Sequence, residues 1–414
     1  MDWIIVGIII ALILLYTVIS DFFPHRMGIG AWKRHYRAGV VLTFDDGPDP
    51  DHTGKFLDLL KENETQGVFF LVAEQAQRHP EIVKEILEQG HQIGLHGMVH
   101  QHGWRMGPFR TWQNWTKGKQ VLEAITGGPV VWMRPPWGVF NLISLIWVKT
   151  HGMKAIHWSQ EGHDWNASSE QDVVERIRPG LRDGSILLLH DGDRTGKARQ
   201  TLKATEQLIH LITREARLPI VPLELPDWTW SRRLMYRLWE TWERFYARQL
   251  GIINIDDVNI YRINPIQYDG PDLVNEAGDL IAQAGDRVLE LHVNSPRLQT
   301  AETDPVRIAI GVLRQTKNSL PVLARYIQQQ PEYQDIQVLV SKTLLNRGLK
   351  GLGFEVTELE DTLHNRWIGF MQRLILKVYH PQNEGTHMGQ PKMVWMTREV
   401  LMTKWLPKAQ NHTE

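Results

Sequence analysis

Between Gly39 and Pro226, short apolar runs alternate with longer amphipathic ones. The runs Val40–Phe44, Gly67–Val72, Gln92–Leu95, Val130–Arg134, Lys154–Trp158, Ser185–Leu189 and Pro219–Leu223 have the length of strands. Their near-continuous apolar character suits strands buried on both faces. Helix-spaced stretches separate them: Thr53–Asn63, Pro80–Gln89, Thr111–Thr126, Phe140–His151, Glu170–Leu181 and Lys197–Ala216. Strands alternating with helices predict an α/β fold of parallel βα units, either a barrel-like ring or a doubly wound sheet. In both, chemistry gathers at the carboxyl ends of the strands. The polar residues at those ends are therefore the ones to examine.

The first strand runs into "VVLTFDDGPDP" and delivers Asp45 and Asp46 side by side. Two adjacent carboxylates at the mouth of a buried strand raise each other's pKa unless the loop is solvated or a cation sits there. The third strand ends in "LHGMVH", which gives His96 and His100 at i, i+4, a spacing that lets two imidazoles meet one ion. One aspartate with two histidines makes a two-His, one-carboxylate set with positions left for water and substrate. The chain has no cysteine, which excludes disulfides, thiolate catalysis and Cys-ligated zinc. With imidazole and carboxylate donors Zn²⁺ leads, and Co²⁺, Fe²⁺, Mn²⁺ or Ni²⁺ suit the same set.

The fourth strand ends in "RPPWG". Pro135 and Pro136 carry no N–H, so the next backbone donor, that of Trp137, is placed to face an oxyanion, and Arg134 can pair with a carboxylate. The fifth runs into "EGHDW" (Glu161, His163, Asp164, Trp165) and the sixth ends in "LLLHD", with His190 at its mouth. An aspartate beside that histidine would orient it and favour its charged form, as a general acid needs. Charge is balanced, 46 Lys+Arg against 47 Asp+Glu, so no field directs the chain to nucleic acid. The 17 tryptophans suit sugar stacking, a membrane interface or ordinary packing.

Taken together, "TFDDGP", H-x-x-x-H, "RPPWG", "EGHDW" and "LLH" resemble, in order and spacing, the five motifs of the polysaccharide deacetylase family (carbohydrate esterase family 4), over about residues 38–226. The resemblance implies a distorted (β/α)7 barrel and metal-dependent removal of acetyl groups from N-acetylated sugars such as peptidoglycan or chitin-like glycans. By position, it implies that Asp46, His96 and His100 bind the metal, with Asp45 as general base and His190 as general acid. Arg134 would hold Asp45, and Asp164 would tune His190. Trp165 and Leu188 would wall the acetyl pocket, and the Trp137 N–H would serve the oxyanion. Two positions depart from the family pattern: Gly97 stands where Ser or Thr is usual, and Glu161 stands where Asp is usual. Loss of a bracing hydroxyl at residue 97 is expected to loosen the metal. Two other readings are a glycan- or lipid-binding scaffold with an inactive domain, and a hydrolase of non-sugar amides or esters.

The flanks add a membrane. Trp3–Ile19 is 17 residues without a charge, near the lower limit for spanning a bilayer. No basic segment of a cleaved signal peptide precedes it, so an uncleaved anchor over residues 1–23 is expected, with membrane lipid as a partner. A buried core helix is the plainer alternative. The basic charges after it (Arg26, Lys33, Arg34, Arg37) favour a cytoplasmic catalytic domain. The family resemblance favours the outside, which is the expectation adopted. Residues 228–250, "WTWSRRLMYRLWETWERFYARQ" and its end, read as a basic, aromatic helix with Trp230, Leu234, Leu238, Trp242 and Phe245 on one face. A linker helix packing that stripe on a domain is expected, with a membrane-surface helix as the alternative. Residues 251–414 read as a smaller α+β domain with strands near Val258–Ile263, Arg287–Val293 and Ile336–Val340. It resembles extensions found in some bacterial members of the family. Its His292, His364 and His380 show no ligand spacing.

Overall fold

The computed structural model describes residues 2–36, 39–225, 228–255, 259–275, 277–294, 305–379 and 389–406. The chain divides into two compact units, Met1–Pro226 and Asp227–Glu414. In the first, eight strands form one curled, wholly parallel sheet: β1 (Ala31–Trp32), β2 (Val40–Asp45), β3 (Gly67–Leu71), β4 (Gln92–Leu95), β5 (Trp132–Met133), β6 (Lys154–Ile156), β7 (Gln160–Glu161) and β8 (Ser185–His190). Their spatial order is β1-β6-β5-β4-β3-β2-β8-β7. Neighbours in sequence are mostly neighbours in space, as in a barrel wound in one direction and unlike a doubly wound sheet. All six residues of β2 and all five of β3 are buried. That explains why "VVLTF" and "GVFFL" show no polar alternation.

The helices pack outside the sheet on apolar stripes. Thr53–Glu62 buries Phe56, Leu57 and Leu60, and Ala198–His210 buries Ala204, Leu208 and Ile209. Each fully buried Phe or Leu contributes about 1.5–3 kcal/mol of apolar transfer. The boundaries follow local chemistry. Pro108 opens the helix Pro108–Thr126, and Gly127 closes it at φ 69°. The Ser169 hydroxyl accepts the Asp172 N–H to start Glu170–Ile177. Pro179 ends that helix in the 3₁₀ turn Arg178–Gly180, short of the expected Leu181.

The strand expectations need two corrections. Pro219–Leu223 is no strand: it meets the sheet at the single bridge Val40–Ile220, because Pro219 and Pro222 lack the N–H groups a ladder needs. The strands β1 and β7 were not expected, since two residues are too few to display a pattern.

In the second unit, Tyr261–Gln267, Arg287–Val293, Val338–Thr343 and Lys392–Thr397 build most of a mixed six-stranded sheet. The expected strand at Val258–Ile263 lies further along the chain, and residue 258 is outside the described residues. Separate apolar clusters cover the two faces, one around Leu289, Leu320, Leu323 and Ile327, the other around Tyr268, Val338, Met393 and Trp395. The helix Trp230–Gln249 does not bury the expected stripe: Leu238 is 64% exposed and Phe245 61%, while Tyr236 on another face is buried. The expectation of a packed linker stripe is corrected accordingly. His292 pairs with Glu290 at 3.0 Å, and residue 380 is outside the described residues.

Candidate active site

The carboxyl ends of β2, β4, β5 and β8, with the loop after β7, bring the expected residues together. Residues Asp45 and His190 face each other as the last register pair of β2 and β8. One step beyond β2, Asp46 turns into the left-handed region at φ 77°. That conformation is costly for a side-chain-bearing residue and is held here by the loop around it. The His96 Nε2 lies 3.4 Å and the His100 Nε2 3.0 Å from the same Asp46 Oδ1. Donor atoms of all three residues lie within 4.8 Å of one another.

The protonation states fit a cation. The His96 Nδ1–H donates to the Arg134 carbonyl at 2.8 Å, which turns Nε2 toward Asp46. The Asp46 carboxyl is held well below the usual carboxylate range: burial pushes it up, but the two histidines outweigh that. Burial, reinforced by His96, keeps the His100 imidazole below its ordinary value against the pull of Asp46. The Asp46 Oδ1 is buried and accepts no hydrogen bond of good geometry. Two imidazole nitrogens converging on a buried carboxylate oxygen without a hydrogen-bond partner make a donor set that a divalent ion satisfies. Among the described residues, this is the one such cluster.

Asp45 is fixed separately. Arg134 is fully buried and donates from Nη1 to Asp45 Oδ1 at 2.7 Å and to Thr43 Oγ1 at 2.8 Å. Its Nε and Nη2 donate to the carbonyls of Ile156 and His157, and its guanidinium lies 4.2 Å above the Phe70 ring. Every edge of the guanidinium is thus engaged, which a buried cation requires. The other Asp45 oxygen lies 3.9 Å from His96 Nε2.

The Asp164 carboxylate is fully buried and takes three donors: His190 Nδ1–H at 2.8 Å, the His190 backbone N–H at 2.8 Å and the Thr201 hydroxyl at 3.1 Å. Burial lowers the His190 pKa, but the Asp164 charge and hydrogen bond, helped by Asp46 and Asp45, raise it to about 10. The net effect favours the imidazolium form. Trp137 sits at φ 57° in the loop after β5, its ring 4.2 Å from that of His100 and 55% exposed. Trp165 is exposed beside His163, and Leu188 is buried on β8 opposite Thr43 and Glu161. Glu161 accepts from Trp158 Nε1 at 2.9 Å.

Gly97 holds φ 95°, and a Cβ there would lie 3.0 Å from both Asn114 Nδ2 and Val99 O. The brace of this loop is instead Asn114, whose Oδ1 accepts the Val99 N–H at 3.0 Å. Three further residues, Thr43, Asp191 and Arg194, border the site. Asp191 is buried against the Thr53 hydroxyl, and burial together with Asp46 and Asp45 raises it to about 7. Arg194 reaches Asp46 Oδ2 at 3.2 Å. Adjacency to His190 in "LLLHD" was a usable signal for Asp191; Arg194, on an exposed loop, had none.

Comparison with known proteins gives two family matches: residues 33–156 match the polysaccharide deacetylase family, and residues 232–405 match the YkoP domain. A peptidoglycan-N-acetylglucosamine deacetylase of Bacillus cereus is 34% identical over 155 residues, covering 37% of this chain and 72% of that protein. A chitooligosaccharide deacetylase of a Bradyrhizobium species is 30% identical over 194 residues, covering 45% and 87%. A crystal structure of a peptidoglycan N-acetylglucosamine deacetylase aligns at 28% identity and a TM-score of 0.44, over 47% of this chain and 91% of that one.

Proposed function

We propose that this chain, which belongs to the polysaccharide deacetylase family, hydrolyses the N-acetyl groups of an N-acetylglucosamine-containing glycan. The observation that carries the reading is the separation of roles among three carboxylates. Asp46 is shared by two imidazoles, Asp45 is held by Arg134, and Asp164 is held by His190. Asp46, His96 and His100 would hold the divalent ion, for which Zn²⁺ is the first choice. When bound, such an ion supplies Lewis-acid stabilisation and lowers the pKa of a coordinated water.

The remaining chemistry belongs to the chain. Asp45, oriented by Arg134, takes a proton from the attacking water as its oxygen bonds to the acetamide carbonyl carbon. The Trp137 N–H donates to the oxyanion. His190 gives its proton to the sugar nitrogen as the C–N bond breaks, so acetate and a free amine leave. Leu188 and Trp165 would flank the acetyl methyl group.

The test separates ligand from base. His96→Ala is expected to lose stoichiometric metal, measured by elemental analysis, together with turnover. Asp45→Asn is expected to keep the metal and lose about 10²–10⁴-fold in rate, the usual contribution of a general base. Near-normal turnover in Asp45→Asn would remove the base from this assignment.

A further inference from the structure

The helix Trp3–Met27 is 25 residues of strongly apolar character, long enough by composition and length to cross a membrane. Its second half is not free. The Tyr16 hydroxyl donates to the Met106 carbonyl at 2.7 Å, and Asp21 accepts the Phe140 N–H at 2.9 Å. Ser20 and Pro24 are buried, and the His25 ring lies 5.1 Å from that of His157. A helix stitched to the catalytic unit at so many points packs as part of that unit.

The apolar residues 3–15 are exposed, and the helix meets the catalytic unit from Tyr16 onward. The surface around Tyr16 is therefore the part of the unit placed to reach the bilayer that the helix enters. That surface has the composition to do so. Beside the Tyr16 contacts at Met106 and Thr111, Phe109 is 73% exposed, and Trp104, Trp112 and Ile146 are each about 40% exposed. Bulky aromatics at this depth are what a membrane–water interface selects.

The catalytic mouth lies on the same side. The His102 ring sits between Trp104, at 5.6 Å, and Trp137, at 5.4 Å, and Trp137 covers His100. The Trp104 Nε1 also donates to the carbonyl of Phe140, the residue whose N–H bonds Asp21 of the helix.

We infer that the face around Trp104, Phe109 and Trp112 lies in the headgroup region of a bilayer, and that the site acts on N-acetylated glycan held at the membrane by a lipid. The substrate class rests on the deacetylase reading, while the depth of the face does not.

Because the chain has no cysteine, a single label reports cleanly. Full-length Phe109→Cys, carrying an environment-sensitive fluorophore, is placed in nanodiscs of phosphatidylethanolamine and phosphatidylglycerol with nitroxide lipids. Quenching severalfold stronger than for Glu62→Cys is expected. Equal quenching at the two positions, as would follow if a second copy of the chain covered Phe109, overturns the depth. In a second arm, a tetramer of N-acetylglucosamine is offered free and coupled to dialkylglycerol in the same nanodiscs. The coupled form is expected to turn over at least about 10-fold faster at equal bulk concentration, through the raised effective concentration. Phe109→Asp is expected to erode that preference and leave the free-tetramer rate unchanged. Equal rates on both tetramers would overturn the lipid-held substrate while the deacetylase stands. Failure on both by metal-loaded chain would sink the deacetylase reading and the substrate class with it, but not the quenching result.

Discussion

In the proposed mechanism Asp164 acts on the substrate only through His190. Burial lowers the imidazole pKa, but the Asp164 charge and hydrogen bond, with Asp46 and Asp45, raise it to about 10. An acid must be protonated when the amine leaves, so activity should fall on the alkaline side as the raised imidazolium loses its proton. Asp164→Asn keeps an oxygen for the Nδ1–H and removes the charge, so the imidazolium loses its main support. The alkaline limb of the kcat/KM profile is expected to move down by about one unit or more, at unchanged metal content. A limb that stays in place would detach Asp164 from His190. The same logic explains which residues a sequence can display. Asp45, Asp46, His96, His100, Arg134 and His190 stand at strand ends, where chemistry-bearing side chains are conspicuous after an apolar run. Thr43 sits inside such a run, and its role in holding Arg134 exists only because β2 and β5 converge on one side of the sheet.

The strands carry the site as much as their ends do. Gly94 on β4 faces Phe70 on β3, and a Cβ at Gly94 would collide with that ring. The ring in turn underlies the Arg134 guanidinium. Gly94→Ala is therefore an overpacking change, expected to cost about 1–3 kcal/mol in thermal or denaturant unfolding. By displacing Arg134 from Asp45 it should also reduce kcat more than it raises KM. The long, fully buried strands were legible because burial on both faces leaves a run without polar interruption. β1 and β7 were not, since two residues carry no period. Pro219–Leu223 misled for the opposite reason: its apolar content was right, but two prolines withhold the donors that make a strand. The Trp230–Gln249 helix was legible as a helix, yet its periodicity could not say whether the stripe would be covered.

At the scale of the whole chain, two units have separate cores, so damage to one should stay there. Leu323→Ala, in the fully buried core of the second unit, is expected to cost about 2–5 kcal/mol. It should advance one unfolding transition while metal stoichiometry and the other transition hold, as calorimetry with elemental analysis would show. Loss of metal in that variant would mean that the units depend on each other. Within the first unit, the order of residues along the chain has a consequence for synthesis. Asp46, His96 and His100 are all made before the second half of the sheet exists, whereas Asp164 and His190 arrive later and reach the site only when β8 pairs in register with β2. The proposed donors of the ion are thus synthesised before the group proposed to release the amine. In the proposed mechanism, turnover then reports that the last strand has closed.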